Sequence, residues 1–101
     1  MSDTALTVTI SKELEELIPG FMKNRRSEVD ALRTALKSGD FDKLVQLGHR
    51  MKGVGKSYGF GRISTVGIAI EEAARSRNEA SLEALISDYA EYLDKVTIEY
   101  E

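Results

Sequence analysis

The sequence has no cysteine, no tryptophan, one proline and one histidine among its 101 residues. The lack of cysteine excludes disulfides and thiolate metal sites, and a single histidine excludes mechanisms that need two imidazoles, such as an H-E-x-x-H zinc site. No apolar run approaches the roughly 20 residues that span a bilayer, and the N-terminus has no signal-peptide core. We therefore expect a cytoplasmic protein that binds no metal and no membrane.

Size and charge narrow the class of protein further. A chain of 101 residues corresponds to one domain that can bury one modest core. It carries 17 acidic and 14 basic residues, a net charge of −3, which argues against a nucleic-acid binder. The apolar fraction of 42% and the charged fraction of 31% are ordinary for a globular protein.

Helical signals dominate the chain. Ser11 is a plausible N-cap of a first helix, which the Pro19–Gly20 pair breaks or restarts. Gly39 is a natural residue after a helix end, and Asp40 behind it is a natural N-cap, so a helix boundary is predicted at 39–40. Later helices are predicted over about 40–58, over about 61–77 and from residue 78 onward.

These elements predict an all-α fold, an up-down antiparallel four-helix bundle with a short additional N-terminal helix, because short connections make long amphipathic helices antiparallel neighbours. We assign residues 1–10 to an N-terminal arm and 11–101 to the bundle domain. Residues 7–10 and 96–100 alternate polar and apolar positions, so both are candidates for extended segments lying side by side. A self-contained bundle of this size favours a monomer.

The helix predicted over about 40–58 carries the only histidine, His49. A helical wheel of about 100° per residue places an apolar seam on one side of it. This seam consists of Phe41, Leu44, Gly48, Met51, Gly55 and Tyr58. His49 lies roughly 130–150° from the centre of the seam, so we predict that it faces water. Lys52, Gly53 and Lys56 lie on the same side of the helix.

Gly53 is an unfavourable residue at its position, because a glycine inside a helix costs roughly 1 kcal/mol relative to alanine. Gly48 and Gly55 fall on the buried seam, where they let a neighbouring helix approach closely. Gly53 falls on the exposed face, where packing gives no reason for it. A bare patch beside an exposed imidazole indicates that another surface comes close to that imidazole.

The groups around His49 suit the transfer of a charged group. An imidazole is largely neutral at pH 7 and has a nucleophilic nitrogen, and nearby ammonium groups offset the charge of a phosphoryl group. No carboxylate lies at helical neighbour spacing to act as a strong base, since Asp42 is seven residues back. These features predict a histidine that accepts and donates a group without hydrolysing it.

The spacing of His49, Lys52, Gly53 and Gly59 resembles the H-x-x-K-G-x5-G pattern of histidine-containing phosphotransfer (HPt) domains. The resemblance covers about residues 11–95. Four further stretches resemble members of this family, two of them members of a bacterial subgroup: Ala35–Asp40, Ile70–Ala74, Ile18–Phe21 and Tyr58–Gly61.

The resemblance implies a role for each residue of the motif. His49 accepts a phosphoryl group at a ring nitrogen, by family habit Nε2. Lys52 helps to neutralise the phosphate, Gly53 clears room for the active site of the partner, and Gly59 belongs to the turn that ends the helix. We expect the docking surface around His49 to be centred on Gly53 and on apolar or small residues.

Other positions near the motif are interpreted from the helical wheel or depart from the family pattern. Val45 is assigned to the centre of the docking surface, and Lys56 to its rim as a second phosphate-stabilising cation. Where the family often has alanine before the histidine and serine after the glycine, this chain has Gly48 and Val54. A phosphate hydrogen bond from position 54 is therefore lost, although Ser57 lies nearby on the wheel.

The implied mechanism is a reversible phosphorelay in which this chain is a phosphocarrier rather than an enzyme. Response-regulator receiver domains and a hybrid sensor histidine kinase are the implied partners, and a receiver supplies the phospho-aspartate and Mg²⁺, so this chain binds no cofactor of its own. An alternative is a helical adaptor that binds a receiver or a kinase without carrying phosphate. A P-loop at residues 53–57 is a weaker interpretation. The P-loop pattern also needs a glycine at position 50, where this chain has Arg50, and a preceding strand.

Overall fold

The computed structural model describes residues 6–101, and most residues in this range are helical. Its elements follow in the order β1 (Thr7–Ile10), a 3-10 helix (Lys12–Leu17), α1 (Ile18–Lys37), α2 (Phe41–Tyr58), α3 (Gly61–Arg75), α4 (Glu79–Lys95) and β2 (Thr97–Tyr100). Each α-helix packs on the next, and α4 packs back on α1. This arrangement confirms the predicted all-α helical bundle, to which the structure adds one small sheet.

The helix boundaries follow from local sequence. The predicted first helix is a 3-10 helix, and α1 begins directly after it. Pro19 lies in the first turn of α1. Gly39 takes a φ of +69°, which glycine adopts without strain, and the Asp40 carboxylate accepts a hydrogen bond from a first-turn N–H of α2. Asn78 caps α4 in the same way. These boundaries agree with the predictions to within one or two residues.

The two ends of the described chain lie side by side, as the alternating segments predict. Strands β1 and β2 pair in parallel, with Thr7 opposite Thr97 and Ile10 opposite Tyr100. The side chain of Ile10 is 1% exposed and belongs to the core of the bundle. Residues 1–5, the first half of the predicted arm, lie outside the described residues.

One buried polar cluster crosses the bundle. The Tyr89 hydroxyl on α4 donates a hydrogen bond of 2.8 Å to Oε1 of Glu28 on α1. Nε of Arg25 lies 3.1 Å from the same oxygen. Burial raises the pKa of Glu28, and the positive charge of Arg25 opposes this shift. The cluster therefore joins α1 to α4 through polar side chains inside an otherwise apolar core.

Candidate functional site

The single histidine lies on the water-facing side of α2. Its side chain is 72% exposed. The opposite side of the helix is buried against the other helices, through Leu44, Leu47, Gly48, Met51 and Gly55. The 3.6-residue period of the helix produces this separation, and the predicted orientation of His49 is confirmed.

Helices α2 and α3 touch through their backbones. A Cβ on Gly48 would lie 2.7 Å from the carbonyl oxygen of Gly67, and a Cβ on Gly67 would lie 2.7 Å from that of Gly48. A Cβ on Gly55 would lie 2.5 Å from the backbone nitrogen of Ser64. The predicted packing role of Gly48 and Gly55 is confirmed, and Gly67 on α3 is the partner of Gly48.

A hydrogen bond reinforces this contact. The Ser64 hydroxyl on α3 donates to the backbone carbonyl of Lys52 on α2 across 2.9 Å. This carbonyl is three residues beyond His49, so α3 is attached to α2 next to the histidine. The close approach of α3 therefore places its side chains beside the exposed face of α2.

The other predicted site residues surround His49 as the helical wheel places them. Lys52 and Lys56 are exposed, and Val45, one turn before His49, is half-buried against the core. Within residues 6–101 neither lysine forms an ion pair. A Cβ on Gly53 would meet no atom within 4 Å, so the helix is bare beside the imidazole.

Gly59 ends α2, as predicted. It takes a φ of +83°, and its N–H bonds back to the carbonyl oxygens of Gly55 and Lys56. Phe60 follows, buried and stacked on Phe21 of α1 with ring centroids 5.0 Å apart. The turn therefore reverses the chain into α3 and anchors the end of the helix that carries His49.

A carboxylate from α3 stands next to the histidine. Oε1 of Glu71 lies 3.7 Å from Nδ1 of His49, while its Oε2 accepts a hydrogen bond of 2.7 Å from Nη2 of Arg75. The hydrogen bond from Arg75 is the main cause that lowers the pKa of Glu71, so this carboxyl group is ionised. The histidine thus has an anion at one ring nitrogen.

Glu71 was not predicted from the sequence, because the neighbours of His49 on a helical wheel all belong to the same helix. No carboxylate lies at neighbour spacing along α2, as predicted, and the carboxylate beside His49 comes from the neighbouring helix α3 instead. Glu71 is 22 residues further along the chain. The only signal in the sequence for a contact between Glu71 and His49 was a pairing of Gly48 with Gly67. Such a pairing brings Glu71 close to His49, because Glu71 follows Gly67 by one helical turn.

Neither a metal site nor a membrane span is found in the described part of the chain. Residues 6–101 contain no group of three or more histidine, cysteine, aspartate or glutamate side chains arranged to hold a metal ion. No helix in the same range has both the length and the apolar character needed to cross a bilayer.

The comparison with protein families matches residues 11–97 to the Hpt domain. Since the match covers most of the chain, this protein belongs to the Hpt domain family, and the resemblance seen in the motif is confirmed. Members of this family are phosphocarrier modules that transfer phosphoryl groups through a histidine in phosphorelay signalling, with receiver domains and kinases as partners. No curated protein and no solved structure matches the chain significantly.

Proposed function

We propose that His49 is the phosphoacceptor of this domain and that it accepts the phosphoryl group on Nε2. The observation that carries this proposal is the surroundings of the imidazole, which is 72% exposed and has the Glu71 carboxylate 3.7 Å from Nδ1. An anion at Nδ1 favours the tautomer with its proton on that nitrogen, and Nε2 then keeps the lone pair for attack.

Neither of the two phosphoryl transfers in the relay requires net transfer of a proton. The lone pair of Nε2 attacks the phosphorus of a receiver's phospho-aspartate, an N–P bond forms, and the P–O bond breaks with its electron pair leaving on the aspartate. Nδ1 keeps its proton, and Glu71 stabilises the positive charge on the ring. A carboxylate oxygen of a second receiver then attacks the same phosphorus, and the electron pair of the N–P bond returns to Nε2.

The neighbours of His49 supply charge and space for this exchange. Lys52 and Lys56 are exposed and form no ion pair within residues 6–101, so their ammonium groups are available to a phosphate. The open surface at Gly53 lets the receiver approach, and the half-buried Val45 supplies apolar contact. Mg²⁺ belongs to the receiver in this proposal, which therefore brings most of the catalysis.

One copy of the chain is sufficient for this function, because α2 and α3 of the same bundle supply His49, Lys52 and Glu71. We propose a monomer that exchanges phosphate with response-regulator receiver domains and with the receiver of a hybrid sensor histidine kinase. Since each step is reversible, the same histidine serves as acceptor and donor.

The test is phosphate transfer from receiver domains of the source organism, each charged with radiolabelled acetyl phosphate and Mg²⁺. At least one receiver is expected to label the wild-type chain, and His49→Gln is expected to abolish the label while leaving receiver binding intact. Arg33→Gln, the same new residue at an exposed position of α1 away from this surface, is the matched control. Normal labelling of the Gln variant overturns the proposal, and receiver binding without labelling of the wild type supports the helical adaptor instead.

A further inference from the structure

The carboxylate of Glu71 is shared between two helices. Oε2 bonds to Arg75, one turn later on α3, and Oε1 faces His49 on α2. The Glu71 side chain is 16% exposed, whereas those of Arg75 and His49 are 64% and 72% exposed. Glu71 is thus held at the junction of the helices, with the exposed guanidinium of Arg75 on one side and the imidazole on the other.

The two contacts of Glu71 differ in strength. The distance of 2.7 Å to Arg75 is that of a charge-assisted hydrogen bond, whereas 3.7 Å to His49 is too long for a hydrogen bond and leaves only electrostatic attraction. Arg75 therefore determines how the carboxylate is oriented. A Glu71 released from Arg75 is free to turn away from His49 toward water.

We propose that Arg75 is a positioning residue of the phosphotransfer site, which holds Glu71 so that its second oxygen faces Nδ1 of His49 and thereby sets the tautomer of the imidazole. This inference rests on the proposed function, in which Nε2 is the nucleophile. It gives a functional role to an exposed arginine. Without this role, Arg75 and Glu71 would be an ordinary surface ion pair, and such pairs contribute little to stability.

The tautomer can be measured directly, because the chain contains one histidine and its imidazole 15N signals have no overlap. At a pH of about 9, where an imidazole is neutral, we expect the wild-type protein to be mainly protonated on Nδ1. Glu71→Gln and Arg75→Gln are both expected to shift the population toward protonation on Nε2. Arg33→Gln, the same loss of charge at an exposed position of α1, is the control and leaves the population unchanged.

A double-mutant cycle tests whether Arg75 acts through Glu71. Each single variant is expected to slow phosphate uptake from a labelled receiver several-fold, and the double variant Glu71→Gln/Arg75→Gln is expected to be no slower than Glu71→Gln alone. Arg75→Lys, which keeps a donor to the carboxylate, restores part of the rate. Thermal unfolding followed by circular dichroism verifies that the variants are folded.

Two results overturn the proposal. The first is a tautomer population of His49 in Arg75→Gln that equals that of the wild type. The second is an additive loss of rate in the double variant, which would mean that Arg75 contacts the receiver itself. Failure of this inference is separable from failure of the proposed function, because the tautomer is measured on the isolated protein. A chain that no receiver labels disproves the phosphoacceptor role of His49 and leaves the NMR result for Arg75 standing.

Discussion

The carbonyl oxygen of Gly67 on α3 lies 2.7 Å from the point that a Cβ on Gly48 of α2 would occupy. No side chain separates the two helices there, so the backbones themselves set their distance. Glu71 follows Gly67 by one turn, and this contact therefore brings its carboxylate to His49. The helix that carries the histidine and the helix that carries the carboxylate are thus packed in direct backbone contact.

The first prediction concerns the glycines of α2. Gly48→Ala is expected to destabilise the fold by about 1–3 kcal/mol, because the added methyl group meets the backbone of α3, which cannot turn aside as a flexible side chain would. Gly53→Ala, which meets open space, is expected to stabilise it by about 1 kcal/mol through better helix propensity. Urea unfolding measures both, and equal stabilities of the two variants would contradict the backbone contact.

The second prediction concerns access to His49. Gly53→Arg adds a long side chain beside the imidazole, so phosphate uptake from a receiver is expected to fall about tenfold or more, equivalent to about 1.4 kcal/mol of lost transition-state stabilisation. The fold is expected to keep its stability, since position 53 is surrounded by open space. Gly53→Ala is the control for the loss of glycine itself. Unimpaired transfer by the arginine variant would disprove the close approach of the partner at this position.

The third prediction concerns Ile68, which is 39% exposed on α3. Ile68 lies between Ser64, which bonds to α2, and Glu71, which faces His49, so it adjoins the same surface. If the receiver covers it, Ile68→Ser is expected to weaken binding by about 1 kcal/mol, or roughly fivefold. Leu17→Ser, at an exposed leucine of the 3-10 helix, is the matched control. Titration calorimetry with a labelling receiver measures both, and equal effects would exclude Ile68 from the interface.

The fourth prediction concerns pH and the buried Glu28. Burial raises its pKa above the ordinary 4.5, so the folded protein binds its proton more tightly than the unfolded chain does. Its contribution to stability is therefore complete below the ordinary value and decreases as pH rises through the raised value. Glu28→Gln removes this dependence, so the variant is expected to gain stability relative to the wild type between pH 4.5 and neutrality. Urea unfolding across this range measures the difference in free energy of unfolding between the variant and the wild type. A difference that does not change with pH would contradict the raised pKa of Glu28.

The local features of the fold were predictable because each depends on residues that are close in sequence. Gly39 and Asp40 end one helix and begin the next through their own backbone conformation and capping group. Asn78 does the same for α4. The water-facing position of His49 follows from the period of a single helix, which the apolar seam of α2 reveals.

The buried polar residues were not predictable in this way. Arg25 and Glu28 lie on α1, where charged residues ordinarily indicate a solvated face, yet both are buried. Their burial depends on Tyr89, 61 residues away from Glu28, which supplies the hydrogen bond that makes a buried carboxyl group tolerable. No pattern within α1 contains that partner.

By itself, the sequence of this Hpt domain determined which residues form helices, where each helix ends and that the imidazole of His49 faces water, since helix period and capping are local properties. Only the tertiary structure decided which group stands at Nδ1 of that imidazole. Glu71 reaches it because two glycines on different helices let the backbones of α2 and α3 touch, and the distance between two helices is a property of their packing that neither helix contains alone.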